Sequence, residues 1–127
     1  FEDGLRKSTR RVRRAYRDMN FSPGKERFHA LRKAAKRLLH ELERLTPRAH
    51  GPRGALIASL RRLTAVLGGE NDLALLRLRL DRQPHGGGPA AIRRYARKRQ
   101  RRLRRRAIAA AKDLFSGRGQ SVAMIGN

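Results

Sequence analysis

Cysteine and tryptophan are both absent from this chain of 127 residues. Without cysteine there is no disulfide framework and no thiolate metal site, which fits a reducing, cytoplasmic setting. Acidic residues are scarce: 10 Asp and Glu stand against 33 Lys and Arg, a formal net charge of +23. Aromatic residues make up 5%, and Tyr16, Phe28, Tyr95 and Phe115 fall on apolar stripes. That leaves too few to stack exposed bases, which disfavours a single-strand platform. No apolar run is long enough to span a bilayer and no signal peptide is visible, so membrane insertion is not expected. There is no HExxH spacing, nucleophilic triad or paired-carboxylate arrangement. The glycines at 86–88 lack the Lys-Ser/Thr of a phosphate-gripping loop. The expectation is a protein with no catalytic residues, no metal site and no cofactor.

What the chain does contain is Ala, Leu, Arg and Lys in abundance, all good helix formers, with no strand-like alternation. The length suits one domain with a modest core. The first predicted helix runs from about Leu5 to Met19. Leu5, Val12, Tyr16 and Met19 fall on one side, with Ser8 and Ala15 as small fillers. Arg6, Arg10, Arg13 and Arg17 fall opposite, and both sets keep the spacing of three and four that a helix requires. Ser22 is the expected N-cap of the second helix and Pro23 its first residue. That helix carries Phe28, Leu31, Ala35, Leu38, Leu39, Leu42 and Leu45 as its apolar stripe and ends near Leu45.

The third predicted helix covers about Arg53 to Leu67, with Leu56, Ile57, Leu60, Leu63 and Leu67 inward. Gly68 and Gly69 are expected to stop it. Asn71 or Asp72 then caps a fourth helix that carries Leu73, Leu76 and Leu80 and ends before Pro84. Residues 85–89 read as a linker. A fifth helix runs from about Ala90 to Phe115, with Ile92, Tyr95, Leu103, Ala107, Ala110, Ala111 and Leu114 to one side. The expected architecture is all-α: an antiparallel four-helix bundle with an extra basic C-terminal helix, forming one domain over 1–116 with a flexible tail at 117–127.

The most distinctive stretch is the second helix. Opposite its aliphatic side lies a ladder of His29, Arg32, Lys33, Lys36 and His40, each about one turn, roughly 5 Å, from the next. Arg presents forked donors to phosphate oxygens, Lys a mobile point charge, and a nearby polyanion favours protonated histidine. The plainer alternative is a solvated helix face. The arginine row on the first helix argues against it. If the two helices pack antiparallel through neighbouring flanks, their rows form one basic groove. His29 and His40 stand eleven residues apart, three turns, too far to share a metal ion. In the last helix, residues 96–107 read ARKRQRRLRRRA, and Arg97, Arg101, Arg104 and Arg105 are candidates to extend the same groove.

His29-Ala30-Leu31-Arg32-Lys33-Ala34-Ala35-Lys36-Arg37, with Glu41 and Glu43 further along that helix, resembles the histidine motif of the CHAD domain, the conserved histidine α-helical domain. Leu67-Gly68-Gly69-Glu70-Asn71-Asp72-Leu73 resembles that family's glycine and Asn-Asp junction, and the arginine-rich helix before the histidine motif matches in order and spacing. The resemblance covers about Arg6 to Leu80. It implies two pseudo-symmetric four-helix bundles whose basic residues bind inorganic polyphosphate, often at polyphosphate granules. Carried onto this chain, His29, Arg32, Lys33, Lys36 and Arg37 are implied polyphosphate contacts, joined by Arg10, Arg13 and Arg17. Asn71 and Asp72 are implied to fix a helix start or orient a basic side chain. His40, Arg97 and Arg101 are added from the residue pattern alone. The family usually has two histidine helices and this chain has one, so it resembles the C-terminal half, with the other half expected upstream or from a second copy in a homodimer. Two alternatives stand beside polyphosphate binding: a DNA- or RNA-compacting protein and an adaptor to a phosphate-processing enzyme.

Overall fold

The computed structural model describes residues 2–83 and 90–115. They form four α-helices: α1 (Glu2–Phe21), α2 (Lys25–Leu45), α3 (Gly51–Asp81) and α4 (Ala90–Phe115). The expected linker at 85–89 and tail at 117–127 lie outside the described residues. Helix α1 packs on α2, α2 on α3 and α3 on α4, and a shorter α1–α4 contact closes the ring. At that closure the Tyr16 and Phe115 rings meet with centroids 4.7 Å apart.

The all-α bundle follows from the apolar stripes. Val12 and Met19 of α1, Leu31, Leu38 and Leu42 of α2, Leu60 and Leu63 of α3 and Ala107 and Ala111 of α4 join one buried cluster. Each fully buried Leu or Met is worth about 1.5–3 kcal/mol. That apolar term must outweigh the self-repulsion of a chain at +23.

Three local expectations are corrected. The first is the start of α2. Its N-cap is Gly24 in extended conformation, with no side-chain cap. The Ser22 amide instead donates to the Asp18 carbonyl at 3.0 Å, so Ser22 finishes α1 rather than starting α2. Between α2 and α3, the Thr46 hydroxyl and amide both donate to the Leu42 carbonyl. Gly51 then adopts a φ of 63°, where any side chain would be strained.

The second correction is the break at Gly68-Gly69, which does not occur. Helix α3 runs through both glycines, and the expected third and fourth helices are one. Neither glycine has a positive φ, so neither forms a left-handed helix end. Gly69 instead permits close approach: a Cβ there would stand 3.3 Å from Leu103 Cδ1 of α4. Asn71 and Asp72 are therefore interior helical residues, not caps.

The third concerns Ile92 and Tyr95, expected inward but 44% and 64% exposed. Leu75 and Leu76 are exposed as well. All four lie in the second half of α3 or the first half of α4, outside the main buried cluster. There the two helices run antiparallel: Gly69 faces Leu103, Glu70 reaches Gln100, Arg77 reaches Gln100 and Asp81 reaches Arg93. This arm buries Leu80, Ala96 and Leu103, but also Glu70 and Gln100.

Candidate functional site

Helices α1 and α2 border a groove of about 980 Å³. From α1 it takes Arg11, Arg14, Ala15 and Asp18. From α2 it takes Arg32, Lys33, Lys36, Arg37, His40, Glu41 and Arg44, with Ala30 and Ala34 between them. Seven Lys and Arg thus face two carboxylates. Both carboxylates have cationic partners: Asp18 Oδ2 lies 3.3 Å from Arg27 Nη1, and Glu41 Oε1 lies 3.6 Å from Arg37 Nε. These pairs mute the two negative charges, and the groove stays strongly positive.

The helical period places these residues. In α2 the aliphatic side is buried against α1 and α3, leaving Lys33, Lys36, Arg37 and His40 exposed along the groove. Arg32 is half-buried and turns toward α3, where its Nε lies 4.0 Å from the point a Cβ on Gly68 would occupy. That Nε is buried without a protein partner, as is Glu41 Oε2. An unsatisfied buried N–H is costly, and a guanidinium in this position gains by turning its donors toward an oxyanion.

Of the residues singled out from sequence, the groove gathers Arg32, Lys33, Lys36, Arg37 and His40. His29 is exposed and does not line it. Arg10, Arg13 and Arg17 are exposed and do not line it either. The reason is geometric. A row directly opposite a buried stripe points into solvent, while the residues that converge on a neighbouring helix sit on the flank between. Arg11, Arg14 and Asp18 hold that flank of α1. They keep the same spacing of three and four, which was the signal available to find them, and so do Arg37, Glu41 and Arg44 on α2.

The last helix does not extend the groove. Arg97, Arg101 and Arg105 are exposed and Arg104 is half-buried, and none of the four lines it. Arg104 is a structural residue. Its Nε donates to Glu70 Oε1 at 2.9 Å, and its guanidinium stands 5.0 Å over the Phe28 ring. Arg97 belongs to a smaller pocket on the α3–α4 arm, with Arg77, Asp81 and Arg93. Among the described residues, no three His, Asp or Glu gather as a metal site, and no helix is long and apolar enough to cross a membrane.

No curated protein and no solved structure matches the chain. A family model described as CHAD domain matches residues 1–81, which span α1, α2 and the whole of α3. With the histidine helix, the groove beside it and this match over most of its length, the chain belongs to the CHAD domain family.

Proposed function

We propose that the chain is a non-catalytic binder of linear inorganic polyphosphate, held along the α1–α2 groove. The observation that carries this reading is the groove itself, with seven Lys and Arg on two antiparallel helices around about 980 Å³. Cations at successive turns suit a flexible polymer with a charge on every unit. Arginine forks engage phosphate oxygens in pairs and lysines add mobile charge. Membership of the CHAD family supports the choice of polyphosphate over other polyanions, because polyphosphate binding is what the family resemblance implies. Where polyphosphate granules form, such binding would place the protein on them, in the cytoplasm.

Release of counterions contributes to any such affinity, so binding weakens steeply with salt, as it does for DNA. The test is a titration with long-chain polyphosphate and with duplex DNA at physiological salt. Polyphosphate is expected to bind more tightly, and equal or tighter DNA binding overturns the preference. A charge-matched pair of variants locates the site. Replacing Arg14, Lys33 and Lys36 by Gln should weaken polyphosphate binding by about tenfold or more. Replacing Arg102, Arg105 and Arg106 by Gln removes the same charge from α4 and should cost only about twofold to threefold. The reverse order would favour a nucleic-acid-compacting protein that grips through α4.

A further inference from the structure

The arm formed by the second half of α3 and the first half of α4 carries a second concentration of arginine, away from the groove. Arg77 and Asp81 stand one turn apart on α3, and Arg93 and Arg97 one turn apart on α4. Together they line a pocket of about 130 Å³. That is well beyond the ~10–15 Å³ that admits one water and far smaller than the groove. Three guanidinium groups meet one carboxylate there, which complements a small anion carrying two negative charges.

The pocket is preorganised on one side. Arg77 Nη1 donates to Gln100 Oε1 at 2.6 Å, and Gln100 Nε2 donates to Glu70 Oε1 at 2.9 Å. Gln100 and Glu70 are 3% and 4% exposed. The buried chain of hydrogen bonds holds the Arg77 fork in place, so little of its freedom is lost when an anion arrives. On the other side, Arg93 Nη2 lies 3.2 Å from Asp81 Oδ1, and the Asp81 side chain is 64% exposed. A carboxylate so exposed is weakly held and readily displaced by a stronger oxyanion.

We propose that Arg77, Arg93 and Arg97 form a discrete site for one phosphate dianion, with Asp81 as its built-in competitor. The site does not depend on what the groove binds. Its occupant is a single tetrahedral phosphate, either free orthophosphate or the doubly charged end group of a phosphate chain.

The probe is orthophosphate added to the full chain, followed through the arginine Nε–Hε resonances. Arg77, Arg93 and Arg97 should shift together along one saturating curve. Arg97→Gln should weaken that curve by about tenfold, the loss of one charge-assisted fork. Arg102→Gln removes the same charge from an exposed position on the same helix and should change it less than about twofold. Asp81→Asn should tighten binding. Parallel, non-saturating shifts at all exposed arginines would overturn the proposal, as would equal effects of Arg97→Gln and Arg102→Gln. Polyphosphate with free and with chemically capped ends separates the two sources. If only free ends displace orthophosphate, the occupant is a chain terminus; if neither does, it is the free ion. Both results uphold the pocket.

Discussion

The two ends of this molecule are both strongly cationic and hold that charge in different ways. At the bundle end, all four helices contribute to one apolar cluster, and the cations are pushed onto the outer faces of α1 and α2. At the α3–α4 arm, among the described residues, the two helices pack chiefly on each other. There the contact surface admits charge: Glu70 sits between Gln100 and Arg104, and Arg77 joins through Gln100. Apolar residues remain in solvent on the same arm, Ile92 and Tyr95 among them. Four apolar stripes enclose one another, whereas two cannot, so the arm supplements a thin apolar seam with a satisfied polar network. A buried network of this kind confers geometric definition more than stability, because desolvation offsets much of its attraction. That definition is what a fixed anion pocket at Arg77 requires.

Removing one core leucine should have the largest effect. Leu63→Ala deletes a fully buried side chain and should destabilise by about 3 kcal/mol, within the usual 2–5 for such sites, as read by urea denaturation. If it costs less than about 1 kcal/mol, the bundle end is not the stability centre. Glu70→Ala comes next. It strands Gln100 Nε2 and removes the partner of Arg104, whose side chain is 30% exposed and partly rescued by water. The expected loss is about 2 kcal/mol, concentrated in faster amide exchange along residues 70–81 and 90–103. Uniform loss of protection through α1 and α2 would show that the two ends do not differ in this way.

The smallest effect separates the two glycines at the junction. Gly68→Ala gains helix propensity, up to about 1 kcal/mol, and its Cβ meets only Arg32 Nε at 4.0 Å. Gly69→Ala gains the same propensity but presses Leu103 Cδ1 at 3.3 Å, so its net change should lie near zero. Thermal denaturation of the two variants reads the difference directly. A larger gain at Gly69 would mean that α3 and α4 are not closely apposed there.

These glycines also show where reading the chain alone goes astray. A Gly-Gly pair after an apolar stripe is the same string whether it ends a helix or lets another helix approach. The choice rests on Leu103, more than thirty residues away. The arginines of α1 teach the same lesson. Arg10, Arg13 and Arg17 form the more regular row, yet Arg11 and Arg14 reach the groove, because α2 packs against their flank. Ile92 and Tyr95 continue an apolar stripe that no other described helix covers. The Glu70–Gln100 pairing gave no local signal at all.

By itself the sequence determined that this protein is helical, where α2 ends and where α4 runs, which leucines are buried in α2 and in the first half of α3, and that its outer surface is overwhelmingly cationic. Helical periodicity is a local property, written every three or four residues along the chain. Tertiary structure alone decided that α3 is one long helix, which arginines of α1 face the groove, and that Arg77, Arg93 and Arg97 meet around one pocket. Each of these depends on the angle and height at which one helix meets another, and that relation is set by packing between segments far apart in the chain.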